Sequence, residues 1–312
     1  MVSTVVWLQD LTMTLRYRRM PWLAAIALVL STARAYSGAC SVTDEIQVYN
    51  AEIAKVGQWT VQSHSNFAIS GCKEPAFPGG IVPNHALNGT PEFAYGVAPW
   101  LELGFYIPYS VGGNGTFYAN GAKLRQLFVS PDAAKREFFF GVNFEESYAP
   151  PPFSQTRWNM EIRPIIGWRK NNWEFIFNPI VDIGFGEDGD ATFAPAARLA
   201  RSFGENFSLG IEYYADLGPL QGFEPWNQQQ HNVFAVVDFK IGRFDINAGI
   251  GYGLTPNSDR VMAKMIVGTE LNEGAPDKPT ERPKLQRRTN LSTGALPLTA
   301  SSLSEAMLAR GF

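Results

Sequence analysis

Trp100-Leu101-Glu102-Leu103-Gly104-Phe105-Tyr106-Ile107-Pro108-Tyr109 puts Leu101, Leu103, Phe105 and Ile107 on one face of an extended strand and Glu102, Gly104 and Tyr106 on the other. Successive side chains of a strand point to opposite faces, so period-2 alternation gives one apolar and one polar surface. Alternation and turn residues together predict twelve such strands, near 57–69, 90–97, 100–109, 116–129, 136–148, 156–168, 173–185, 191–202, 206–217, 230–240, 243–253 and 259–271. Segments of roughly ten residues with two unlike faces are what a tilted strand needs to cross a bilayer between lipid and a polar lumen.

The connections are sorted. Short links at Ala98-Pro99, 130–134, 170–172, Gly204-Glu205 and Gly242 alternate with looser ones at 71–89, 111–115, 149–155, 186–190, 218–229 and 254–258. Bacterial outer-membrane barrels have short periplasmic turns and longer external loops. An even strand count then returns both chain ends to the periplasm. The expected fold is an all-β, antiparallel transmembrane barrel of about twelve strands with both termini periplasmic. Trp100, Tyr109, Tyr148, Trp158, Trp168 and Trp173, near strand ends, suit interfacial girdles.

On this reading the lumen is lined by Glu102, Arg125, Glu145, Glu161, Arg163, Glu174, Asp182, Arg198, Glu212, Asp216, Asp238 and Lys264. Such a mixture admits two roles, a polar solute path or charges that satisfy one another. Twelve strands enclose more space than the eight-strand barrels that side chains fill, and less than open 16–18-strand porins.

Bulk composition agrees without deciding. Of the 312 residues 45% are hydrophobic and 13% aromatic, and mean hydropathy is -0.11; no stretch after residue 35 offers the ~18 consecutive apolar residues of a spanning helix. A net charge of -3 gives no basis for a nucleic-acid partner. At the start of the chain, Arg16, Arg18 and Arg19 precede the apolar run from Pro21 to Leu30, and Ala33-Arg34-Ala35 is a small-x-small cleavage site. Four regions are therefore expected: a signal peptide at 1–35, a periplasmic N-terminal segment at 36–56, the barrel at 57–271 and a disordered tail at 272–312. Met13 is an alternative start. Thr43 to Asn50 has its own alternation and reads as a lead-in to the first strand, with a lumen plug or a cap on the periplasmic end as the alternatives. Cys40 and Cys72 survive cleavage, but they flank the first strand, which sets them on opposite sides of the membrane and argues against a disulfide.

The run from Gly89 through Thr90-Pro91-Glu92-Phe93-Ala94-Tyr95-Gly96 to Gly104, closing at Ile107-Pro108, resembles a hairpin of the phenol meta-pathway family of outer-membrane proteins. A glutamate-bearing strand, a Tyr-Gly turn and an alternating strand ending in Pro carry the likeness over about twenty residues. The resemblance implies kinship with outer-membrane channels for hydrophobic compounds. Such barrels end on an aromatic residue that closes the last strand; here Gly268-Thr269-Glu270-Leu271 stands in that place.

Enzyme chemistry finds little footing. His64 stands between Ser63 and Ser65, but adjacent strand residues face opposite ways, so neither serine is its partner. Three isolated histidines without Cys or carboxylate spacing do not make a metal site, and no phosphate loop or nucleophile elbow is present. No cofactor or metal is expected. The leading expectation is a Gram-negative outer-membrane channel or transporter for small, hydrophobic solutes among others, reached after signal-peptide cleavage. Outer-membrane lipid, the barrel-assembly machinery and an unidentified small solute are its expected partners. A structural or surface-interaction barrel is the alternative, and an outer-membrane hydrolase comes third.

Overall fold

The alternating segments close into a ring. The computed structural model describes residues 40–275; the expected signal peptide at 1–35 and the expected tail beyond Ala275 lie outside these. The strands are β1 (Trp59–Ser70), β2 (Leu87–Ala98), β3 (Leu101–Tyr106, then Tyr109–Val111), β4 (Phe117–Ala119, then Ala122–Val129), β5 (Phe138–Tyr148) and β6 (Trp158–Lys170). They continue as β7 (Trp173–Asn178, then Val181–Phe185), β8 (Ala191–Phe193, then Ala196–Ser202), β9 (Phe207–Asp216), β10 (Gln230–Ile241), β11 (Phe244–Gly253) and β12 (Val261–Glu270). Each pairs antiparallel with its successor. β12 pairs with β1 from Thr60↔Glu270 to Ser70↔Val261, so no edge remains.

Four strands expected to be continuous are interrupted, each at a Pro or Gly. β3 breaks at Pro108 and β4 at Gly121; β7 breaks at Pro179 and β8 at Pro195. Proline has no N–H for the ladder, and such positions bend a strand locally. The breaks meet in neighbouring strands, with the Asn120 N–H on the Pro108 carbonyl at 2.9 Å and the Ala194 N–H on the Ile180 carbonyl at 3.0 Å. β2 starts three residues earlier than Asn88-Gly89-Thr90-Pro91 suggests. Inside the barrel the Asn88 amide donates to Asn66 at 2.9 Å and accepts from Ser110 at 2.6 Å, which holds these turn-prone residues in the sheet.

The two ends differ as expected. At the short-link end, Asn171 and Asn172 take positive φ in a two-residue hairpin turn, the conformation that matches strand twist. The outer wall is apolar: Leu103, Phe105, Phe140, Leu199, Ile211 and Ile250 are exposed along it. Trp59, Trp100, Trp168 and Trp173 ring the short-turn end, and Tyr148, Trp158 and Phe185 the loop end. An apolar belt between aromatic rims is the surface of a transmembrane barrel.

The inner face departs from expectation because it is not uniformly polar. Leu127, Val129, Phe139, Ile165, Ile176, Ile180 and Ala196, from β4 to β8, form a buried apolar patch on the lumen side. Residues 40–58 cover it. They are not a lead-in below the barrel; they run through the lumen from the loop end to the turn end, with Val42, Ile46, Val48, Tyr49 and Ala51 buried. Val48, Tyr49 and Ala51 pack on the patch, and Ile46 packs on Phe234, Val236 and Met262. Burial of side chains this size contributes about 1.5–3 kcal/mol each, which explains why the segment lies inside.

This path corrects two expectations. The strand termini Trp59 and Glu270 do lie together at the turn end, but Cys40 stands at the loop end. It is disulfide-bonded there to Cys72 in the first long loop, with a Cα–Cα distance of 5.8 Å. Chain order alone would set Cys40 on the side from which β1 starts. Because the preceding segment crosses the lumen, both cysteines share one end. At the other end Asn272 binds Trp59 N–H at 2.6 Å and the Gly57 carbonyl at 2.9 Å, tying the start of the tail to the β1–β12 seam.

Candidate functional site

The candidate site is the lumen around the inserted segment, called the plug below. A backbone threaded through a barrel must have its polar groups satisfied by the wall, and here the wall supplies side chains at successive heights. Asn66 donates to the Thr43 carbonyl at 2.7 Å and Thr90 to the Asp44 carbonyl at 3.2 Å. Lys264 donates to the Ile46 carbonyl at 3.0 Å and Arg163 to the Gln47 carbonyl at 3.0 Å. The Asn178 amide serves both backbone groups of Tyr49, accepting its N–H at 2.8 Å and donating to its carbonyl at 3.2 Å. Lower down, Glu102 accepts the Ala54 N–H at 2.6 Å.

Tyr49 marks the waist. Its hydroxyl donates to Glu145 at 2.9 Å and lies 2.9 Å from the Tyr106 hydroxyl. The Arg163 guanidinium sits 4.3 Å from its ring centre, within the range of a cation–π contact. Above and below this waist lie two cavities, of about 820 Å³ toward the long loops and about 580 Å³ toward the short turns.

All twelve residues read from the sequence as lumen-lining stand on the inner face, in separate groups. Glu145, Glu161, Arg163, Asp182 and Asp216 line the loop-end cavity. Glu102, Arg125, Glu174, Arg198, Glu212 and Asp238 line the turn-end cavity. Lys264 is buried beside Glu212 and Ile46. Most are paired: Arg163 grips Glu161 through two nitrogens at 2.6 and 2.9 Å, and Arg198 holds Glu212 at 2.6 Å and also Asp238. Arg125 joins Glu92, at 2.7 Å, to Glu102, and His64 caps Glu92 at 3.0 Å. His64 is 1% exposed and its partner is a carboxylate, while Ser63 points outward, so the residues of the hydrolase reading are not assembled.

Sequence reasoning missed the apolar seat and the plug's polar clamps. Phe139, Ile165 and Ile176 fall in Phe138-Phe139-Phe140, Ile165-Ile166 and Phe175-Ile176-Phe177, where both strand faces are apolar and period 2 vanishes. Those doubled runs were the available signal. At the loop end, burial pushes the Asp259 carboxyl above its ordinary range, opposed by the Cys72 N–H that it accepts at 2.8 Å.

Gly96 permits the plug's exit. A Cβ there would come within 2.1 Å of the Lys55 carbonyl and 2.5 Å of the Ala54 carbonyl. Gly96→Val is therefore expected to lift the plug's lower end from the wall. In an Ala54→Cys background, maleimide labelling should become several-fold faster; an unchanged rate would show that the contact holds nothing in place.

Fold and lumen together define the class: an outer-membrane-type, twelve-stranded antiparallel β-barrel with an internal N-terminal plug. No family model matches the chain, and no curated protein matches it either. Among solved structures it is similar to an outer membrane channel from Pseudomonas putida F1, at 11% identity and a TM-score of 0.49, over 72% of this chain and 100% of the channel. It is also similar to LpxR from Salmonella typhimurium, at 10% identity and a TM-score of 0.38, over 67% of this chain and 99% of that one. The translocator domain of the autotransporter NalP from Neisseria meningitidis is similar at 10% identity and a TM-score of 0.38, over 80% of this chain and 96% of that one. At these identities the barrel assignment rests on the chain's own strand pairing and surface.

Proposed function

We propose that this protein is a Gram-negative outer-membrane channel or transporter for small solutes, kept closed at rest by residues 40–58. The observation that carries this reading is the apolar seat beneath the plug. A barrel needing only a sealed interior can fill it with paired charges, as the Arg198 and Arg125 groups do. Leu127, Phe139, Ile165 and Ile176 instead present a greasy inner wall that movement of the plug would uncover, and such a wall suits solutes with an apolar body. Export by a signal peptide, insertion by the barrel-assembly machinery and contact with outer-membrane lipid belong to the same proposal.

The alternative, a structural barrel that passes nothing, is favoured by how firmly the plug is held: a disulfide at its outer end and wall side chains on its backbone throughout. The two separate on the rate at which the hydrophobic dye N-phenyl-1-naphthylamine enters porin-deficient cells. Expression of the protein is expected to speed entry modestly, through brief openings of the plug, and Ile165→Ser with Ile176→Ser, placed in a form lacking residues 40–56, to slow the faster entry which that form allows. Entry no faster than in cells lacking the protein would favour the sealed barrel.

A further inference from the structure

We propose that the loop-end cavity is a binding site for linear aliphatic polyamines, with Glu45 of the plug and Asp182 of β7 receiving separate ammonium groups. This goes beyond the channel reading and does not depend on any solute passing the waist.

Charge is the first observation. Eleven carboxylate residues and two basic ones line this cavity, so its sign is strongly negative. Both bases are engaged: Lys123 with Asp44 at 2.5 Å, and Arg163 with both oxygens of Glu161. The second observation is Glu45 itself. It is 8% exposed and lines the cavity, and neither of its carboxylate oxygens has a hydrogen-bond partner. Buried carboxylates are ordinarily hydrogen-bonded or paired, so an orphan facing a cavity calls for a ligand.

The sheet supplies the third. Glu145, Glu161 and Asp182 are direct register partners across β5, β6 and β7. Like charges directly opposite one another destabilise a sheet unless something cationic intervenes. Glu161 has Arg163, and Glu145 has Lys123 at 3.6 Å; Asp182 has no ion-pair partner among the described residues. The free acceptors therefore lie on two separate elements, the plug and β7.

Placement on two elements selects the ligand. Among the described residues, Cys40, Cys72 and Asp259 are the only His, Cys, Asp or Glu side chains whose ligand atoms come together within 4.8 Å in a group of three. Among the described residues no three carboxylates of this cavity converge, whereas a dehydrated metal ion requires such a cluster. A chain bearing several ammonium groups, each with three donors, meets dispersed acceptors instead. Its methylenes would run along Ile180, Ala194 and Tyr214, which also line the cavity. About 820 Å³ is ample for such a molecule.

The test is calorimetric titration of spermidine into the full-length, disulfide-intact protein in detergent. Saturable binding is expected, with magnesium ion and n-butylamine much weaker. Glu45→Gln and Asp182→Asn should each weaken spermidine roughly tenfold, the scale of one charge-assisted hydrogen bond. Glu270→Gln, at the opposite end, should leave binding unchanged. Glu45→Gln removes an unpaired buried charge, so its fold is preserved, and unaltered heat-modifiable migration verifies this for each variant. Absence of saturable binding, equal binding of magnesium, or wild-type affinity in both carboxylate variants would overturn the proposal.

Discussion

Replacing Arg125 with methionine is expected to destabilise the barrel by about 3–5 kcal/mol, the cost of leaving buried charges without their partner. The guanidinium bridges Glu92 and Glu102, and the three side chains are 6%, 1% and 6% exposed. Without it Glu92 retains only His64, and Glu102 retains only the Ala54 N–H of the plug. The pair cannot simply rehydrate, because the plug and Tyr106 close over it: Tyr106 is fully buried and lies 5.5 Å from the Arg125 guanidinium. Urea unfolding followed by tryptophan fluorescence measures the loss. Adding Glu92→Gln and Glu102→Gln to the Arg125→Met variant should recover most of it, since an uncharged cluster has no counter-ion to miss. A single variant as stable as the wild type would mean that the cluster is solvated and contributes little.

Much of the barrel was legible in its residues. The alternation at Leu101 to Ile107 and its recurrence predicted every strand that forms, because in this fold each residue's face is set locally by the pleat. The charged positions were legible for the same reason: Glu102, Arg163 and Glu212 sit opposite unmistakably lipid-facing neighbours. Connection lengths located the two ends. Prolines mark the breaks at Pro108, Pro179 and Pro195, where the missing N–H of the ladder overrides alternation.

The plug was not legible, and the reason is physical. Thr43 to Asn50 alternates as a short strand does, yet it pairs with no neighbouring strand. Its backbone is satisfied by side chains far along the chain, such as Asn178 for Tyr49, 129 residues away. Local pattern carries no record of such partners. For the same reason chain order is no guide to membrane side here, and the disulfide runs against it. Only the lumen path puts Cys40 beside Cys72. The doubled apolar runs at Phe139, Ile165 and Ile176 hinted that part of the inner wall had something to cover.

Removing residues 40–56, together with Cys72→Ser to avoid a stray thiol, is expected to produce the largest functional change. The plug separates cavities of about 820 and 580 Å³, and its Val48, Tyr49 and Ala51 occupy the waist between them. Excision joins the two into one passage and bares the apolar wall from Leu127 to Ala196. A twelve-strand ring is too wide for its own side chains to refill that space. Disulfide loss alone, in Cys40→Ser with Cys72→Ser, should have a smaller effect, because Asn178, Arg163 and Glu102 still hold the segment. Heat-modifiable gel migration establishes that each variant remains a folded barrel.

The deciding measurement is single-channel conductance in planar bilayers, full-length protein against the plug-deleted form. A barrel closed by its own N-terminal segment predicts small, infrequent openings for the intact chain and a steady conductance on the order of tenfold larger once the segment is gone. Equal conductance from two folded proteins would contradict it, and the plug would then be packing rather than a gate.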